Sequence, residues 1–150
     1  MNFIRKTAVV AVTFAACALA WANPASRAEA QSQVAAAVAH VKKVGMDQAI
    51  KDINSAPEWK VKGMNVIVNE MKGLVLASSL NGRLVGKNTY EAKDPNGTEF
   101  VKEMVATAQR GEGWVDYQFV NPESKTLEER SMFVRRVPGA EVFVGVAITK

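Results

Sequence analysis

The stretch from Leu84 to Val120, LVGKNTYEAKDPNGTEFVKEMVATAQRGEGWVDYQFV, constrains this chain most, because it sets a turn-rich loop, a helix and a strand in immediate succession. Pro95-Asn96-Gly97 is turn chemistry. Asn96 is placed to cap the first N–H groups of a helix, and Glu99 stands three residues on, where a capping-box acid belongs. Phe100, Val101, Met104, Val105 and Ala108 recur at helical spacing, leaving Lys102, Glu103, Thr107 and Arg110 for solvent. Gly111 is the stop. Beyond Gly113 the period becomes two: Trp114, Asp116 and Gln118 point one way, Val115, Tyr117 and Phe119 the other, until Asn121-Pro122 breaks the strand.

The N-terminus belongs to a different physical class. Arg5 and Lys6 precede an uncharged apolar run from Thr7 to Ala20, and Ala20-Trp21-Ala22 is the small-x-small pattern of a signal peptidase site. The run falls short of the roughly 20 apolar residues that span a bilayer. Residues 1–22 therefore read as a secretory signal, with Asn23 first in a mature domain of residues 23–150. Phe14-Ala15-Ala16-Cys17 offers a competing reading as a lipoprotein box, but Phe14 stands where such boxes carry an aliphatic residue. Because Cys17 is the only cysteine, cleavage after Ala22 removes disulfides, thiol catalysis and cysteine-held metals together. Losing Arg5 and Lys6 also halves the formal charge of +4, which leaves no basic excess for a nucleic-acid partner.

Ala25 to Val44 reads as an alanine-rich helix with Val34, Ala37, Val38, Val41 and Val44 on one stripe and Gly45 as its stop. Asp47 is placed to cap a shorter helix through Ile50 and Ile53 that ends between Asn54 and Pro57. Two strands follow, Met64–Val68 and Leu74–Ser78, joined by the five-residue loop Asn69–Gly73. Glu128 to Val137 pairs through a Pro138-Gly139 turn with the nearly continuous apolar run from Glu141 to Thr149. Five strands connected mainly as hairpins, with helices before and between them, predict an α+β fold: an antiparallel sheet covered by helices.

The ordered words Val85-Gly86-Lys87-Asn88, Lys93-Asp94-Pro95-Asn96-Gly97 with Phe100-Val101, Gly111-Glu112-Gly113-Trp114-Val115-Asp116-Tyr117, Asn121-Pro122 and Arg130-Ser131-Met132-Phe133-Val134 resemble the single Cache domains, extracytoplasmic members of the PAS-like sensor superfamily. The resemblance covers roughly Ala28 to Thr149 and implies a PAS-like five-stranded sheet, a long first helix and a pocket for a small metabolite such as a short carboxylate. In receptors of that family the long helix continues from a membrane anchor. With residues 1–22 expected to be removed, signalling here is expected to pass through a separate membrane receptor, kinase or transporter, in the manner of a chemotaxis sensor. Relatives commonly carry lysine and tyrosine where this chain has Arg130 and Phe133, and often a histidine near Ser78-Ser79-Leu80. Arginine keeps the charge and adds a planar fork suited to a carboxylate, whereas phenylalanine loses a hydroxyl donor. Many relatives also have an Asp-x-x-Gly turn between the first two strands, of which only Gly73 is kept.

The remaining chemistry is thin. His40 is the single histidine and cannot build an ordinary zinc or haem site alone, so a solvated or helix-packing role is expected. Asp94 to Glu99 opens like a calcium loop but lacks the later ligands, and Asn81 to Asn88 lacks the spacing of a P-loop. Ser78 and Ser79 have no base in a supporting motif, so no enzyme and no cofactor are expected. A binding pocket remains, for which Tyr117, Trp114, Arg130, Phe133, Arg135, Lys87 and Ser79 are the candidate groups. Strand parity puts Ser131, Phe133, Arg135 and Val137 on one face and Arg130, Met132, Val134 and Arg136 on the other. Arg130 and Phe133 therefore share a pocket only across a bulge or strand end, and Arg130 is near enough to the loop to lie at one. The other class of function open to the chain is an interaction protein using the same fold with its pocket filled in.

Overall fold

The computed structural model describes residues 24–121 and 124–150; the signal segment, Cys17, the cleavage point before Asn23, and Pro122 lie outside them. Helix α1 (Arg27–Val44) starts from a capping box that the sequence reading missed. Ser26 Oγ accepts from the Glu29 N–H at 3.2 Å, and the Glu29 carboxylate accepts from the Ser26 N–H at 2.8 Å. Ala30, Val34, Ala37, Val38 and Val41 form its buried stripe, but Val44, expected to extend it, is exposed at the last turn.

Helix α2 (Met46–Ser55) follows Gly45 directly and buries Ala49 and Ile53. Asp47 is not its cap: the helix starts without a side-chain hydrogen bond, and Asp47 stands in the first turn, where its charge suits the helix dipole. His40 joins the two helices. Its Nε2 lies 2.7 Å from Asp52 Oδ2 of α2, and its ring is tilted against that of Trp59 at 5.3 Å, a helix-packing role.

Five strands follow, β1 (Asn65–Glu70), β2 (Val75–Ser78), β3 (Glu112–Val120), β4 (Leu127–Arg136) and β5 (Val142–Thr149), with α3 (Phe100–Gln109) between β2 and β3. They make one antiparallel sheet in the order β2-β1-β5-β4-β3, so the first and last strands are neighbours. The first hairpin is tighter than the predicted five-residue loop. β1 runs on to Glu70, whose N–H bonds the Leu74 carbonyl at 2.9 Å, and a bulge between Val68 and Asn69 absorbs the extra residue.

Both faces of the sheet are covered. On one, α1 and α2 pack on Val66, Val68, Phe133, Val144 and Val146; on the other, α3 packs on Val115, Met132, Val134, Phe143 and Ala147. Strand period two produces both sets from the same strands.

Two expectations about α3 change. Asn96 does not cap it and Glu99 closes no capping box; the helix begins at Phe100 with no side-chain cap. The organising group is Asp94, whose Oδ1 accepts from the N–H groups of Asn96 and Thr98, each at 2.9 Å, while Oδ2 accepts from the Gln118 N–H at 3.2 Å. One carboxylate thus holds the turn and ties it to β3. Thr107, expected at the surface, is buried because its methyl lies where a Cβ at Gly113 would come within 2.8 Å.

Gly73 joins a backbone requirement to a packing one. Its φ is +91°, and a Cβ there would meet Tyr90 Cβ at 2.5 Å and Tyr90 N at 2.7 Å. Gly139 shares the positive φ, at +79°, but has open space around it. Urea denaturation is expected to show a loss of about 1 kcal/mol for Gly139→Ala and at least about 2 kcal/mol for Gly73→Ala. Equal losses would show that the Tyr90 contact relaxes freely.

Candidate ligand site

The seven candidate residues separate into three places. Tyr117 and Arg130 are directly opposed across β3 and β4 on the α3 face. Trp114, Phe133 and Arg135 lie on the α1 face, and Ser79 and Lys87 lie beyond the end of β2. The pairing of β3 with β4 runs without a break from Leu127 to Arg135, so no bulge or strand end brings Arg130 and Phe133 together.

The α3 face holds a connected polar group. Phe100, the first residue of α3, stacks on Tyr117 with centroids 4.9 Å apart and planes 12° from parallel. Arg130 donates from Nε and Nη2 to Glu128 Oε2 at 3.1 and 2.7 Å, and its guanidinium covers the Phe119 ring at 4.4 Å. Asn121 Nδ2 donates to Glu128 Oε1 at 2.8 Å. Bonds from Asn121 and then Arg130 hold the Glu128 carboxyl below its usual pKa. Burial pushes the Tyr117 phenol up to about 12, with the Arg130 charge acting in the opposite direction.

Four residues along the strands from this pair, level with Val134 and Gly113, Gly145 of β5 leaves side-chain space over the sheet. A Cβ there would meet Met132 Sδ at 2.7 Å, so the Met132 thioether fills the space that a side chain would take. Met71, Met104 and Phe143 complete the apolar wall. Methionine is the side chain best able to repack around a guest, since its unbranched stem has three rotatable bonds.

The α1-face residues serve packing and charge pairing. Trp114 and Phe133 lie 5.2 Å apart, the Arg27 guanidinium covers Trp114 at 4.4 Å, and Arg135 pairs with Glu112. Ser79 closes the corner of the sheet: its N–H bonds the Val66 carbonyl and its Oγ accepts from the Val66 N–H, both at 2.9 Å. Lys87 is exposed, and its carbonyl accepts from the Val75 N–H at 3.0 Å. Sequence reasoning missed Glu128, Asn121 and Phe100. Counting register back from the β3–β4 turn would have placed Glu128 beside the pair, but nothing in the sequence signals the ring stack.

Two surface grooves are also present. One of about 470 Å³ follows the β3 edge past Arg27, Glu103, Arg110, Trp114 and Asp116, and another of about 700 Å³ surrounds Lys93, Gly97 and Lys102. Both are open to solvent, and neither is lined by Tyr117 or Arg130. Among the described residues no helix is long and apolar enough to cross a membrane.

A five-stranded antiparallel sheet in this order, with helices on both faces, is a PAS-like α+β fold. Residues 10–149 match the Single Cache domain 2 family, and the chain belongs to that family, whose members are sensory ligand-binding domains. Similar solved structures include a methyl-accepting chemotaxis protein from Vibrio parahaemolyticus, 15% identical, with a TM-score of 0.69 over 81% of this chain and 86% of that one. A periplasmic sensor domain of a chemotaxis protein is 23% identical, with a TM-score of 0.62 over 80% of this chain and 87% of the other. A Cache chemosensory domain described for carboxylic acid recognition is 20% identical, with a TM-score of 0.62 over 80% and 85%. No curated protein matches the chain.

The phenol gives a direct check on this face. In a titration followed by tyrosinate absorbance, one of the two tyrosines is expected to ionise near pH 12, and Tyr117→Phe removes that late step. The folded phenol has the higher pKa, so its contribution to stability is whole below the unfolded value near 10 and is lost as pH rises toward 12. A late step that survives Tyr117→Phe would show that this ring is not the one that ionises late.

At the acid end, burial alone would raise the Asp94 pKa, but the N–H groups of Thr98, Gln118 and Asn96 outweigh it and the net shift is downward. The stability Asp94 contributes is therefore present above its unfolded pKa of about 4 and is lost as pH falls through the lower folded value. Asp94→Asn is expected to flatten the acid limb of a stability-versus-pH curve measured by urea denaturation. An unchanged limb would rule out Asp94 as its source.

Proposed function

We propose that the protein is a periplasmic sensor that binds a small metabolite such as a short carboxylate on the α3 face and reports its state to a separate membrane receptor or kinase. The observation that carries this reading is the cross-strand pair of Tyr117 and Arg130 beside a methionine-rich apolar cluster under α3. Glu128 already presents a carboxylate to the Arg130 fork, which is the chemistry a carboxylate ligand would use. A similar Cache domain described for carboxylic acid recognition supports the same ligand class. Arg130 and Tyr117 are the proposed polar contacts; Met132 and Phe100 are the groups a guest would displace.

Residues 1–22 are proposed as the secretory signal that delivers the domain to that compartment. The family match begins at residue 10, inside this segment, so the mature terminus is worth measuring directly. Intact mass of the exported protein starting at Asn23 supports cleavage after Ala22; a lipidated Cys17 would replace it.

A second reading, an interaction protein with the Cache fold and a filled hollow, is favoured by the Phe100–Tyr117 stack and by Met132 lying over Gly145. Thermal-shift screening against short organic acids and amino acids separates the two. A ligand at 100 times its Kd is expected to add about 2.7 kcal/mol of stability to the wild type and far less to Arg130→Ala. No stabilisation by any compound, with Arg130→Ala equally inert, would favour the interaction protein.

A further inference from the structure

β3 is an edge strand, and an open groove runs along its outer edge at Trp114, Val115 and Asp116. The direction of its N–H groups follows from two bonds: Gln118 N–H leaves the ladder for Asp94 Oδ2, whereas Asn121 N–H turns inward to the Thr126 carbonyl at 2.9 Å. Main-chain groups alternate along a strand, so the N–H and C=O of Trp114 and Asp116 point outward, into the groove of about 470 Å³. Long open edges of this kind template pairing with another strand.

The charges beside this edge select the occupant. On the α3 side, Glu103 of the helix and Arg110 at its C-cap are exposed and seven residues apart, with Ala106 between them in the groove lining. Arg110 donates to Thr107 Oγ1 at 3.3 Å, but among the described residues neither Glu103 nor Arg110 has an ion-pair partner. On the α1 side, Arg27 stands 4.0 Å from Asp116 next to Trp114, and Lys150 Nζ donates to Asp116 Oδ2 at 2.6 Å. The Glu103–Arg110 pattern on the α3 side is complementary to itself under a two-fold rotation.

We propose that the β3 edge pairs with the β3 edge of a second copy of this chain, antiparallel about a two-fold axis through Val115. Trp114 then lies opposite the second copy's Asp116, and Asp116 opposite its Trp114. These are two hydrogen-bonded pairs exchanging four main-chain bonds around a non-bonded Val115 pair. The two α3 helices run antiparallel on the same face, with Glu103 of each copy facing Arg110 of the other. Arg27 of each copy reaches the other's Asp116. Asp94 sets the length of the ladder, because its hold on the Gln118 N–H stops pairing there. This surface is separate from the Tyr117–Arg130 site and does not depend on any ligand.

The test is sedimentation equilibrium on exported protein recovered from cells expressing the full chain, with circular dichroism to confirm that each variant is folded. The wild type is expected to show a reversible monomer–dimer equilibrium. Glu103→Arg or Arg110→Glu alone should raise the dimer Kd about tenfold or more, since each reversal places like charges at two symmetry-related contacts. The double variant, Glu103→Arg with Arg110→Glu, should return to within about threefold of the wild type, because the exchange rebuilds both pairs with opposite polarity. A wild type that stays monomeric overturns the proposal, whatever else covers the edge. So does a dimer indifferent to the single reversals, or a double variant no tighter than the singles.

Discussion

The constraint on which this structure depends is the apolar character of β5 on both of its sides. Val142, Val144 and Val146 face α1, while Phe143 and Ala147 face α3, and all five are buried. A strand with no polar face must lie in the interior of a sheet and be roofed above and below, because either exposed face would leave large apolar area in water. The central place of β5 then requires β1 and β4 as its neighbours, and the two roofs are the helices available on either side of β1 and β2 in the chain. Arg130 and Met132 inherit their positions from this arrangement, since β4 is registered against β5 through Arg130–Thr149 and Met132–Ala147.

Much of this was legible from periodicity alone. The change from a helical to a two-residue period at Gly113, and the parity that puts Tyr117 and Trp114 on opposite faces, are properties of the local sequence, and the structure reproduces both. Helix starts were less legible. Asn96, Glu99 and Asp47 all satisfy the composition of a cap, but a cap depends on the angle at which the chain enters the helix, and tertiary contacts set that angle. Asp94 wins over Asn96 because it can reach from the turn to Gln118 on β3, a contact 24 residues away that no local pattern encodes.

The candidate site was legible only in part, for the same reason. Parity correctly separated Arg130 from Phe133, and resemblance to relatives drew attention to both, but the surroundings of each depend on partners distant in sequence. Arg130 is set by Glu128, Asn121 and Phe119 at the end of one hairpin. Phe133 is set by Trp114 and the underside of the α1 layer. Ser79 shows how a plausible ligand donor can be absorbed by architecture, since the hydroxyl and the main chain of one residue together satisfy both main-chain groups of Val66.

The order of strands has one mechanical consequence. β5 and β4 carry α1 on one side and the Tyr117–Arg130 group with Met132 on the other, so the first helix and the apolar cluster under α3 are separated only by the thickness of one layer of backbone. Interiors packed to crystal-like density transmit displacement instead of absorbing it. A shift of β4 by a fraction of an ångström, enough to move Met132 off Gly145, is felt at once by Phe133 on the reverse side and through it by the α1 layer. Helix α1 and Met132 are thus mechanically joined through a single sheet.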